Sequence, residues 1–290
     1  MNERSHPELR SDFRAILQGQ SCKFAASVFD PISVRMAADL GFEVGILGGS
    51  VASLQVLGAP DITLITLDEF AEQASRLGRA SQIPVIADAD HGYGNSLNVM
   101  RTVSELQKVG VAALTLEDTH LPAKFNQPST HLISLDEAAS KIYAARLART
   151  DESLSIIART HAGATSLSDS IARTTAYQKA GADAICFVGV TDFLHLEALT
   201  SHLSLPIMLI NYGNPELADA EKLSAANVRI VVNGHKPYFA ALQATYEALC
   251  AESEHDPSQL SPNQLVAKYS LSDKYQRLAD LYLKAEGGFN

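Results

Sequence analysis

The chain has 290 residues, of which 46% are hydrophobic and 19% charged; this is the composition of a globular protein and excludes a disordered one. A net charge of −10 argues against nucleic acid and anionic membrane surfaces as partners, so an anion could bind only where a metal or an arginine reverses the field locally. No run of about 18 strongly apolar residues occurs: the longest uncharged stretch, 44–60, is broken by Gly45, Gly48, Gly49 and Gly58, and no membrane span is expected. The opening residues lack the apolar core of a signal peptide, and Cys22, Cys186 and Cys250 are odd in number and far apart, which fits reduced thiols and a cytoplasmic location.

In chain order, short apolar runs at 24–28, 43–47, 84–87, 111–116, 154–158, 184–188, 206–210 and 228–232 read as eight strands, each buried on both faces as in a parallel sheet. Leu40-Gly41-Phe42, Val109-Gly110-Val111 and Ala180-Gly181-Ala182 each place a glycine between a helix end and a strand, where a left-handed cap is needed. Thr66-Leu67-Asp68-Glu69 and Ser134-Leu135-Asp136-Glu137 set a hydroxyl cap before acidic first-turn residues, the second with strict capping-box spacing. Eight strand–helix units predict an α/β fold, a (β/α)8 TIM-type barrel over residues 1–250, with a doubly wound open sheet as the alternative. Residues 251–290 change texture and predict extra C-terminal helices, either packed on the barrel or forming an arm that docks on a neighbouring subunit.

Active sites of such barrels lie at the C-terminal ends of the strands. The third and fourth candidate strands end in Asp88-Ala89-Asp90 and Glu117-Asp118, four carboxylates with no sulfur beside them. An all-oxygen set selects a hard cation, and Mg²⁺ is the default because it keeps waters and takes only one or two carboxylates directly. Arg159 ends the fifth run and either pairs with these acids or grips a substrate carboxylate with its planar fork. Gly48-Gly49-Ser50 ends the second and offers backbone N–H groups and a hydroxyl to an anion. His235, after the eighth run and before an expected helix start, can donate to a carboxylate or serve only as a cap. Serine-hydrolase, zinc-peptidase and nucleotide-binding loops are absent, so the residues themselves lead to Mg²⁺-assisted chemistry on a small oxo-acid.

Asp88-Ala89-Asp90-His91-Gly92-Tyr93-Gly94-Asn95, with Leu116-Glu117-Asp118, Ile157-Ala158-Arg159-Thr160 and Gly48-Gly49-Ser50, resembles the isocitrate lyase/phosphoenolpyruvate mutase superfamily. The resemblance implies a (β/α)8 barrel, Mg²⁺ (with Mn²⁺ as a substitute), an enolate-type intermediate of a 2-oxo acid, and a homotetramer built as a dimer of dimers with exchanged C-terminal helices. It implies Asp88 as direct metal ligand, with Asp90, Glu117 and Asp118 acting through water. It also implies Ser50, with Gly49, as substrate-binding groups and Arg159 as carboxylate clamp. The stretch 121–131 lacks the Lys-x-Cys-Gly-His loop of the superfamily's lyases. With His235 after the last strand, the pattern is most similar to the oxaloacetate decarboxylase branch. That implies Asp88, Arg159 and His235 as catalytic residues, acting on a small 2-oxo dicarboxylate, oxaloacetate or a 3-alkyl analogue. A 2-methylisocitrate or 2-alkylmalate lyase, a phosphonopyruvate-processing enzyme and a silent oxo-acid sensor are the alternatives.

Overall fold

Each of the eight apolar runs forms a strand in the computed structural model, which describes residues 4–127, 130–253 and 260–284. The first run is split in two at Ala25, giving nine strands: β1 (Lys23–Phe24), β2 (Ala26–Ser27), β3 (Gly45–Leu47), β4 (Val85–Asp88), β5 (Ala113–Glu117), β6 (Ser155–His161), β7 (Ala184–Val188), β8 (Ile207–Ile210) and β9 (Val228–Val232). Their order is β1-β9-β8-β7-β6-β5-β4-β3-β2. Every pairing is parallel.

The split is what wraps the sheet into a barrel. Lys23 pairs in register with Ile230 of the last strand, while Ala26 pairs with Gly45 of the next one, so one short segment joins both edges. Such a stagger is what closing a tilted sheet demands. The expected TIM-type barrel is therefore present, its first strand counted in halves. Helices Pro31–Asp39, Leu67–Ala80, Ser96–Lys108, Leu135–Ala148, Leu167–Ala180, Phe193–Thr200, Ala220–Ala225 and Lys236–Glu252 alternate with the strands. None of the helices among the described residues is long and apolar enough to cross a membrane.

Local signals act much as the sequence predicts. Gly41, Gly110 and Gly181 take φ of 83°, 89° and 97° at the helix-to-strand corners. The reciprocal capping box forms at Thr66–Glu69. At Ser134 the side chain accepts from the Glu137 N–H, without a return bond among the described contacts.

Two apolar layers follow from strands buried on both faces. Outside the sheet, residues such as Leu77, Leu106, Leu114, Ile156 and Phe187 pack against the helices. Inside the barrel, Ile46, Ile86, Ile157, Cys186, Met208 and Ile230 fill the lumen. Its floor is closed by a helix absent from the sequence reading, His6–Gln18, which sends fully buried Phe13 and Leu17 into that inner layer. Filling each such position removes about 1.5–3 kcal/mol worth of apolar surface from water. The lumen is therefore solid, and chemistry is confined to the opposite mouth.

Beyond the barrel, helices Pro262–Tyr269 and Ser272–Tyr282 form the described part of the C-terminal arm. Leu265 is buried, whereas the last helix has no buried residue and leaves Leu278, Leu281 and Tyr282 exposed.

Candidate active site

The register brings the expected acids and the arginine side by side. Asp88, the last residue of β4, lies opposite Thr115 of β5, and Glu117 lies opposite Arg159 of β6. Arg159 Nη1 stands 3.0 Å from both carboxylate oxygens of Asp88, and its Nη2 is 3.4 Å from Glu117 Oε2. Asp88 Oδ1 also accepts from Thr115 Oγ1 at 2.8 Å, and the carboxylate takes the backbone N–H of Gly49. Burial alone would raise the Asp88 carboxyl, but Arg159, Thr115 and Gly49 together hold it below the usual carboxylate range.

The neighbouring acids go the other way. Asp90 is buried, with φ 46°, and both burial and the charges of Asp88 and Asp61 push its carboxyl well above the usual range. Glu117 is raised by burial and by Asp88, against the pull of Arg159. Asp61 is a site member that sequence reasoning missed. It follows Gly58-Ala59-Pro60 in a loop far from any strand end. Partial withdrawal from water, with the charges of Asp88 and Glu117, pushes its carboxyl up to about 6 even though the residue stays exposed overall.

Asp118 is not brought into this group. Side chains alternate along a strand, so with Thr115 and Glu117 facing the mouth, Asp118 faces the helix layer. It is 2% exposed, and its Oδ2 accepts from Thr160 Oγ1 (2.8 Å), Tyr177 OH (2.6 Å) and Arg173 Nη1 (3.2 Å). A buried carboxylate with three donors of its own is a fastener between barrel and helices. This placement corrects the expectation that it shares in metal binding.

Gly48 leads directly from β3 into a short helix, Gly49–Ala52, that runs on into a π turn, Ser53–Leu57. Gly48-Gly49-Ser50 is thus a helix start, with Gly49 and Ser50 in its first turn. Both glycines admit close neighbours. A Cβ at Gly49 would lie 2.8 Å from Asp90 Oδ1, and one at Gly48 would lie 2.4 Å from Cε1 and 2.7 Å from Nε2 of His235. His235 occupies the N-cap of Lys236–Glu252 but makes no capping bond. Its ring is turned toward the mouth, with Nδ1 2.7 Å from Ser27 Oγ. Burial lowers its pKa, and the nearby charge of Asp88 opposes that shift. Tyr212, at φ 50° after β8, stands within electrostatic reach of Arg159 and Asp88.

The charge balance tests whether a metal fits. Asp61, Asp88, Asp90 and Glu117 place four carboxylates around the single guanidinium of Arg159. Burial first, and the neighbouring charges second, push three of them toward protonation, a shift that the charge of a divalent cation would oppose. Among the described residues no three Asp, Glu, His or Cys side chains converge closely enough to cage an ion alone. The donors that are present are all oxygen, the set a hard cation such as Mg²⁺ takes.

A parallel barrel with clustered acids, one arginine and glycine-lined anion contacts at its C-terminal mouth defines a (β/α)8 enzyme handling a small anion. The phosphoenolpyruvate phosphomutase family model matches residues 13–252, and the chain belongs to that family. It is 70% identical over the full length of both chains to oxaloacetate decarboxylase 2 of Pseudomonas fluorescens (strain Pf0-1). It is 61% identical to the oxaloacetate decarboxylase of Ectopseudomonas mendocina (strain ymp), over 93% of each chain. Among solved structures, phosphonopyruvate hydrolase in complex with oxalate and Mg²⁺ shares the fold at TM-score 0.77 and 24% identity, covering 97% of this chain and all of that one.

Proposed function

We propose that this chain decarboxylates oxaloacetate to pyruvate and carbon dioxide. The observation that carries this reading is its 70% identity, end to end, with a protein named for that activity. The site is consistent with it: Arg159 lies between Asp88 and Glu117, Gly49 borders Asp88 and Asp90, and His235 stands beside Gly48.

Asp88 would hold Mg²⁺ directly, with Asp90 and Glu117 acting through water. Bound there, the ion supplies an electron sink next to the 2-oxo group. Arg159 carries a fixed charge at all relevant pH, because Asp88 and Glu117 outweigh the effect of its burial. It can keep one branch of its fork on Asp88 and offer the other to a substrate carboxylate. Gly49, Ser50 and His235 orient the anion so that the bond to the departing carboxylate stands across the plane of the carbonyl. The enolate left behind takes a proton from water, so no dedicated acid is needed. The stretch 121–131, of which Pro128 and Ser129 lie outside the described residues, contains no cysteine, and this disfavours a lyase that needs one.

The exposed apolar residues of the last helix support a homotetramer in which residues 251–290 dock on a neighbour, to be checked by light scattering. The activity is tested by pyruvate and carbon dioxide release at fixed Mg²⁺, comparing the intact protein with Asp88→Ala. A rate well above the metal-only background, lost in the variant, is expected. Equal rates in both refute the reading.

A further inference from the structure

Ser27 carries no signal in the sequence, yet among the described residues it makes the one hydrogen bond to the His235 ring. It lies on β2, is 6% exposed, and reaches across 208 positions of sequence to set its Oγ 2.7 Å from Nδ1 of the ring. The Cε1–Nε2 edge of the same ring lies against Gly48, so near that no side chain fits there. The bond at Nδ1 and the contact along the Cε1–Nε2 edge limit how the imidazole can turn. They leave Nε2 as the nitrogen that borders the Gly48-Gly49-Ser50 turn.

A neutral imidazole carries one proton, and a hydroxyl can donate or accept, so the pair has two arrangements. If Nδ1–H donated to Ser27, the serine's own proton would need a second acceptor in a buried place, and no other partner of that hydroxyl is found among the described residues. A buried donor without an acceptor costs about 1–3 kcal/mol, whereas an unused lone pair is tolerated more readily. If Ser27 donates to Nδ1 instead, no donor of the pair is wasted, and the ring proton sits on Nε2, facing the mouth.

We propose that Ser27 is a positioning residue that donates to His235 Nδ1 and so fixes the ring as its Nε2–H tautomer, presenting a hydrogen-bond donor to a carboxylate of the substrate. This rests on the reading of His235 as a substrate-facing group. It places the control of that group on the first strand of the barrel, outside the acid cluster.

The experiment is ¹⁵N NMR of the full chain labelled at histidine, with the His235 signals assigned by their loss in His235→Gln. The expected result is a protonated Nε2 and an unprotonated Nδ1 in the wild type. In Ser27→Ala the two tautomers should mix, oxalate affinity in the presence of Mg²⁺ should fall by roughly tenfold, the cost of one hydrogen bond to an anion, and KM should rise with little change in kcat. Ser27→Thr, which keeps the hydroxyl, should restore both tautomer and affinity. A protonated Nδ1 in the wild type overturns the proposal, as does a Ser27→Ala protein with unchanged tautomer and oxalate affinity. The tautomer is read without substrate, so a failure of the decarboxylation reading (no pyruvate above background from the wild type) would be a separate result.

Discussion

Replacing Gly48 by alanine adds a single methyl group, and the structure says where it goes. Gly48 has φ −81° and ψ 144°, ordinary extended backbone that alanine adopts without strain, so the whole effect falls on the neighbour. The new Cβ would stand 2.4 Å from His235 Cε1. Ordinary carbon contact begins near 3.4 Å, so the ring must retreat by about 1 Å. A ring moved by that much cannot keep the 2.7 Å bond to Ser27 in its present geometry. A displacement of about 1 Å in a substrate-orienting group costs roughly 100-fold, near 2.7 kcal/mol in kcat/KM, while local overpacking costs about 1–3 kcal/mol of stability. The assay is kcat/KM for oxaloacetate decarboxylation at saturating Mg²⁺, with Tm as a control for folding. The decisive comparison is the double variant. If the methyl acts through the ring, Gly48→Ala should have little further effect in a His235→Ala background. An equal loss in both backgrounds, or kcat/KM within twofold of wild type, would refute the reasoning.

Asp118→Ala should behave as a stability variant: it leaves the buried Thr160 and Tyr177 hydroxyls without their acceptor while Arg173 keeps Asp169, and costs about 1–3 kcal/mol, a drop of roughly 5 °C in Tm, with Mg²⁺ affinity by calorimetry unchanged. Asp88→Ala should do the reverse, losing Mg²⁺ binding with a smaller loss of Tm. Gly49→Ala should weaken Mg²⁺ binding, because its Cβ would press on Asp90 Oδ1; titration calorimetry checks this. For pH, Asp61 is raised to about 6 in the fold, so its protonated form is favoured there. Its contribution to stability is present below the ordinary carboxylate pKa of about 4 and is lost as pH rises through about 6. Without Mg²⁺, Asp61→Asn should therefore match the wild type in Tm near pH 4 and exceed it near pH 8, and the Tm gain of the wild type on adding Mg²⁺ should grow over the same range. A parallel offset at all pH values would contradict this.

The barrel was legible because strands buried on both faces leave unbroken apolar runs, and the glycines at Gly41, Gly110 and Gly181 mark their entries. The acids and Arg159 were legible because barrel chemistry gathers where strands end. Asp118 was misplaced, although the sequence held the means to place it: adjacent residues on a strand face opposite ways, so Glu117 and Asp118 could not both reach the mouth. The floor helix His6–Gln18 was overlooked in spite of the Ser5–Glu8 capping spacing, in which Glu8 accepts from the Ser5 N–H. Asp61 and Ser27 had no local signal. One sits in a loop that returns to the mouth only through tertiary packing, and the other is a small residue in a strand whose meaning lies in a partner on the last βα turn.

The two-piece first strand has a consequence for how the chain becomes competent during synthesis. Asp88, Glu117 and Arg159 come from β4, β5 and β6, neighbours in sequence, and can assemble once the middle of the sheet has formed. His235 and Ser27 come from opposite ends of the barrel segment, and they meet only when β9 docks beside β1 while β2 holds β3. Closing so long a loop is the entropically slow step. The pairing of Asp88 and Glu117 with Arg159 thus needs only the middle of the sheet, whereas the histidine–serine pair exists only in a sealed one. A nascent or circularly permuted chain would acquire the two properties at different times, and the interval between them measures ring closure.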